Sequence, residues 1–276
     1  MSKTRVLYVA QEITPFLPET IVSTISRQLP QAMHEKGMEI RVFMPRYGKI
    51  NERRHQLHEV IRLSGMNMII NDSDHPLIIK VASIPSARMQ VYFIDNEEYF
   101  HRKSVLQDDK GKFHKDNDER SIFFVKGVLE TVKKLGWAPD LIHCHGWMTA
   151  MMPMYLRHYY NEDPHFSDAK VVYSAYEQEF ETLDKDLSKK LSFDNIPQDQ
   201  LDMIKDPTFV NLNKLAISNA DGAITLAEGN IDSEITSFIN ELGKPSLEVQ
   251  STDNLVNEVS ELYEGVLEGK QLLVEE

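Results

Sequence analysis

Cysteine is almost missing from this chain: Cys144 is the only one in 276 residues. That excludes an intrachain disulfide and fits a cytoplasmic protein. Positive charge is also in deficit. Thirty Lys and Arg face 43 Asp and Glu, for a net charge of −13. The chain therefore has no basic footprint for duplex nucleic acid, and an anionic membrane surface would repel it. No run approaches the ~18 consecutive apolar residues of a membrane span. The opening MSKTRVLYVAQE passes directly into a strand pattern, without the apolar region of a signal peptide. There is no Gly-x-Gly-x-x-Gly or Walker-type loop, no internal repeat and no low-complexity tract.

What is present is a hydrophobic fraction of 41%, enough for a sizeable core. RVLYVA (5–10) reads as a strand. Apolar residues at helical spacing over 21–36 are closed by Gly37, and EIRVFM (39–44) reads as a second strand. This is a βαβ unit, which implies parallel strands and a right-handed crossover. Short strand patterns at 60–63, 66–70 and 77–82 suggest hairpins in an insertion over 51–83, followed by a strand at 89–94. Helical spacing recurs over 117–135, 148–160, 210–219 and 231–242, and strands are expected at 140–144, 170–174 and 222–226. The stretch 180–206 is polar and ambiguous. The alternation specifies an α/β fold with a Rossmann-like, mostly parallel sheet covered on both faces.

Residues 1–242 form the expected α/β domain, and 243–276 an acidic tail with an amphipathic helix. Leu255, Val256, Val259, Leu262, Tyr263, Val266 and Leu267 lie on one stripe of that helix. Eight carboxylates from 243 onward face only Lys244 and Lys270. Docking of the helix on its own domain is one use of the stripe; a protein partner is the other.

The segment PDLIHCHGWMTAMMPMY (139–155) carries the clearest chemical signal. Its strand delivers His143 and His145 to a carboxyl end, where open α/β sheets bind ligands. Two histidines without a third ligand are a weak metal signal. Cys144, inside the apolar strand, reads as a buried inert thiol.

Five segments in order resemble the N-terminal domain of glycogen and starch synthases, retaining glucosyltransferases of the GT-B architecture. They are QEITPF with RVFMPRYG, VYFIDNEEYFHR, DNDERSIFFVKGVLE, PDLIHCHGWMTAMMPMYLR and LNKLAISNADGAITLAEGNIDSEI. The resemblance covers most of residues 3–240. It implies transfer of glucose from ADP-glucose to an α-1,4-glucan, with no metal or other cofactor. It also assigns Asp116, His143, His145 and Trp147 to the sugar and acceptor pocket. Asp116 directly precedes the helix at 117, so a capping role competes with a sugar-site one. For the histidines, the alternative is a hydrogen-bonded pair left over from an ancestral site.

The chain departs from the family where the donor would bind. The family's Lys-Thr-Gly-Gly loop reads Pro18-Glu19-Thr20-Ile21, and the aspartate that follows is Thr24. Proline removes an amide, Glu19 adds negative charge, and Ile21 replaces a glycine that would let backbone approach a phosphate. His-Asp-Trp becomes His145-Gly146-Trp147, and Thr-Ile-His-Asn becomes Ser174-Ala175-Tyr176-Glu177. No counterpart of the family's second domain is expected in the residues after Leu242. Two functions follow as expectations. One is a glucosyltransferase domain that is incomplete or inactive as an isolated chain. The other is a non-catalytic relative that binds glucan or a protein.

Overall fold

The computed structural model describes residues 3–178, 180–227 and 231–269. The strands are β1 (Arg5–Ala10), β2 (Glu39–Pro45), β3 (His58–Glu59), β4 (Met66–Ile70), β5 (Ser73–Ile84), β6 (Met89–Asp95), β7 (Leu141–His145), β8 (Lys170–Ser174), β9 (Gly222–Leu226) and β10 (Ser246–Val249). The helices are α1 (Ile21–Glu35), α2 (Glu52–His55), α3 (Glu97–Phe100), α4 (Asn117–Leu135), α5 (Met152–His158), α6 (Leu187–Ser192), α7 (Gln198–Met203), α8 (Phe209–Asn219), α9 (Ser233–Leu242) and α10 (Leu255–Glu268).

The sheet runs β10-β9-β8-β7-β1-β2-β6-β5-β3, with β4 also on β5. From β10 to β6 every pairing is parallel. Central strands β1 and β7 are buried almost throughout, as a sheet covered on both faces requires. The order grows from β1 toward β2 and β6 on one side and toward β7–β10 on the other. With right-handed crossovers, α1 therefore lies on one face, and α4, α5, α8 and α9 on the opposite face. The strand order reverses between β1 and β7, which places a ligand crevice at their carboxyl ends.

The insertion is an antiparallel extension of the sheet: β5 pairs with β6, and β3 and β4 pair with β5. The strand expected at 60–63 is a turn. Leu63 N and Ser64 N both bond to Val60 O, so the chain closes on itself after Val60 N reaches Ile79 O. The helix expected over 148–160 is split into a 3₁₀ turn, Trp147–Thr149, and α5. Pro153 lacks an amide and is best placed in the first turn of a helix, where α5, starting at Met152, puts it. The ambiguous stretch 180–206 supplies α6 and α7.

The segment after Leu242 adds a strand that the sequence did not suggest. β10 pairs with β9 from Ser246↔Ala223 to Val249↔Leu226. The stripe on α10 is buried or half-buried, and the helix packs against α1 and β10. Its outer face carries the exposed Glu261 and Glu264. Lys270 and the last two glutamates lie outside the described residues.

Candidate functional site at the carboxyl ends of β1 and β7

His143 and His145 are two residues apart on β7 and so project to one face, with Cys144 on the other. Their ring centroids are 3.9 Å apart. Tyr8 on β1, in register with His143, lies 5.7 Å from one ring and 5.9 Å from the other. All three side chains are fully buried.

A hydrogen-bond chain joins Tyr8 to His143. Tyr263 of α10 donates to Tyr8 Oη at 2.9 Å, which uses its only hydroxyl hydrogen. His143 Nδ1, 2.5 Å from Tyr263 Oη, must then be the donor. This makes His143 Nε2 the acceptor from Ser174 Oγ at 2.7 Å. The Tyr176 hydroxyl is 2.7 Å from His145 Nδ1. His145 Nε2 is buried and has no partner among the described residues. Burial holds both imidazoles neutral. His145 titrates at about 3. For His143 the burial, reinforced by the neighbouring His145, lowers the pKa well below its ordinary value. Burial likewise raises the Cys144 thiol, against a bond from Thr149, as expected of an inert cysteine.

Gly146 turns the chain out of β7 with φ +84° and ψ 163°, a region open essentially to glycine alone. A Cβ there would sit 2.3 Å from Gln11 Oε1. Trp147 is 2% exposed and packs on Phe113 and Phe180, centroids 5.5 and 4.8 Å away.

Asp116 sits at the N-cap position of α4, but its side chain makes no capping bond. The capping role is thereby corrected. Its carboxylate takes both terminal nitrogens of Arg102, one at 2.6 Å. Burial would raise its pKa, and the Arg102 guanidinium overrides this and holds it low. A bidentate ion pair satisfies a carboxylate better than one helix amide does. No contact joins Asp116 to the histidine chain.

At the start of α1, Thr20 and Ser23 form a reciprocal capping box at 3.0 and 2.8 Å. Thr20 Oγ1 also donates to Glu12, and Gln178 reaches the same carboxyl oxygen at 3.5 Å. Burial raises the Glu12 pKa, against these two bonds. A carboxyl group and a hydroxyl therefore already hold the helix end where an anion would otherwise bind. The adjoining depression, about 370 Å³, is lined by Glu19, Thr20, Ile21, Thr24, Ile25, Gln28 and Thr252. No cationic side chain is among them. Thr20→Ala removes the cap and is expected to destabilise the domain by about 1 kcal/mol; thermal unfolding checks it, and an unchanged midpoint would show that the box carries no stability.

Sequence reading missed Glu12, Tyr8, Tyr176 and Tyr263 as members of these networks. Glu12 left a trace inside QEITPF, Tyr176 in the place of the family's histidine, and Tyr263 on the apolar stripe. Among the described residues no group of three or more His, Cys, Asp or Glu could hold a metal ion, and no helix is long and apolar enough to cross a membrane.

Residues 5–243 match the family described as the starch synthase catalytic domain. This chain belongs to that family. It is 42% identical over 173 residues to a glycogen synthase of Chlorobium limicola, covering 62% of this chain and 35% of that one. It is 39% identical over 195 residues to the glycogen synthase of Chlorobium luteolum, covering 68% and 40%. The catalytic domain of starch synthase IV from Arabidopsis thaliana, bound to ADP and acarbose, shares the fold with a TM-score of 0.73. Identity to it is 19%, over 92% of this chain and 52% of that structure. The chain thus spans between a third and two-fifths of the length of these bacterial relatives.

Proposed function

We propose that this domain is the acceptor side of a glucosyltransferase lineage, and that it binds α-glucan without itself engaging ADP-glucose. The observation that carries this is the start of α1. A pyrophosphate there would meet Glu12 and Glu19, a helix end already capped by its own hydroxyls, and a depression without a cation. Two negative charges brought to such a place repel rather than bind. The glucan half of the proposal is supported by family membership and by the crevice between β1 and β7. His145 Nε2, without a partner among the described residues, adds a neutral hydrogen-bonding group that a sugar hydroxyl would match. His143 would then position His145, while Trp147 and the Arg102-paired Asp116 would shape the pocket wall rather than touch donor phosphates. A cytoplasmic setting, beside the glucan, completes the reading. A protein partner using the C-terminal helix would meet its acidic face, because the apolar stripe is taken up inside the domain.

The test is calorimetric titration of the purified chain with maltoheptaose, ADP and ADP-glucose. Saturable heat with maltoheptaose and none with either nucleotide is expected. Tight ADP-glucose binding, or glucan extension by this chain alone, would overturn the proposal.

A further inference from the structure

Away from the histidine crevice, a larger cleft of about 550 Å³ opens between α1, α2 and the turn that follows β5. Its volume falls within the range of small-molecule sites, roughly 300–1,000 Å³. Its walls include Arg27, Arg54, His55, His58, Ser83 and Ser86, and no carboxylate lines it. In a chain of net charge −13 that composition is unexpected.

The two guanidiniums are also unneutralised. Arg5, Arg46, Arg102 and Arg157 each pair with a carboxylate. Arg27 and Arg54 have no ion pair among the described residues. Arg27 bonds only to the Ser86 hydroxyl, at 2.9 Å, which turns its fork toward the cleft wall. The nearest carboxyl of α2, on Glu52, is turned away and held by Arg46 and Lys80. His55 packs its edge on Phe16 at 5.1 Å; burial, then the Arg54 charge, lower its pKa. It is thus a neutral hydrogen-bonding group, and the standing charge of the cleft is the two arginines.

We propose that this cleft binds a phosphate group, either free or as the monoester of a sugar-sized molecule. A phosphate monoester carries −1.5 to −2 at neutral pH and three strong acceptor oxygens. Two guanidinium forks match that charge and take the oxygens bidentately. The serine hydroxyls and the imidazole of His55 supply neutral bonds around it, and His58 lines the same wall. A lone carboxylate would leave one guanidinium unmatched. A long polyanion would need a continuous basic track, whereas acidic residues such as Glu59 flank the cleft. This site stands apart from the proposed glucan crevice and does not depend on that reading.

The experiment follows amide resonances of the isotopically labelled chain while sodium phosphate or glucose 1-phosphate is added, with ionic strength held constant by sodium chloride. Saturable shifts are expected in residues 54–58 and 83–86. The double variant Arg27→Ala/Arg54→Ala should weaken binding by about tenfold or more, the loss expected for charge-assisted hydrogen bonds. Arg62→Ala, which removes an exposed arginine outside the cleft, should leave affinity unchanged. Tighter binding of the ester identifies a sugar phosphate as the ligand; equal binding identifies phosphate itself. Absence of saturable shifts in the wild-type chain, shifts confined to other residues, or an affinity unaffected by the double substitution would overturn the site.

Discussion

Replacing Gly146 by alanine is expected to destabilise the domain by about 2–6 kcal/mol. The backbone at φ +84° and ψ 163° costs a residue with a Cβ roughly 1–3 kcal/mol. The new methyl would also lie 2.3 Å from Gln11 Oε1, and Gln11 is tied down by Met148 N at 3.4 Å and by Gln178. Overpacking of this kind adds about 1–3 kcal/mol when neighbours cannot move away. In a Gln11→Ala background the steric part should vanish and the backbone part remain. Urea unfolding of the four proteins separates the two. Equal midpoints for wild type and Gly146→Ala would show that the turn relaxes freely. The prediction also bears on function. An aspartate at 146, the residue the family resemblance places there, would meet the same penalty in this turn.

Acid should destabilise the domain between pH 7 and pH 5. His143 and His145 are neutral when folded, with pKa values depressed by burial. In the unfolded chain they titrate near 6.5. The unfolded state therefore binds more protons below that pH. The stability these groups provide is intact above about 6.5 and is lost progressively until pH falls through the folded values, about 3 for His145. From pH 7 to pH 5 each histidine forfeits roughly 2 kcal/mol by this linkage. Asp118 acts in the opposite sense. Burial raises it to about 6 in spite of Lys190, so it takes up a proton in the native state and returns roughly 1.4 kcal/mol over the same interval. The net expectation is a loss of about 2–3 kcal/mol. Less buried His55 and His114 share the histidine sign, and Glu12 shares that of Asp118. The variant His143→Gln/His145→Gln isolates the pair: its unfolding free energy should vary much less with pH between 7 and 5. An equally steep variant would place the effect elsewhere.

Most of the architecture was legible because the signals were local. The strands at 5–10, 170–174 and 222–226 and the helix at 117–135 match their expected bounds residue for residue. Each is a short apolar run or a helical repeat closed by a glycine or a cap. The misread pieces have their pattern set from outside. Val60 is apolar, yet β3 ends at Glu59 because the backbone turns to bond itself. β10 is four unremarkable residues, recruited by the open edge of β9. The candidate site divides in the same way. The histidines and the altered loop were visible as residue types at known places. Their partners were not, since Tyr263 and Tyr8 stand 255 positions apart, and no periodicity encodes which hydroxyl meets which imidazole. Asp116 shows the converse: position suggested a cap, and a long-range arginine claimed the side chain.

Tyr263 ties two histories together. The family likeness stops at residue 243, yet a hydroxyl twenty residues later fixes which nitrogen of His143 carries the hydrogen. The boundary of the family match and the boundary of the packed core therefore fall at different points along this polypeptide.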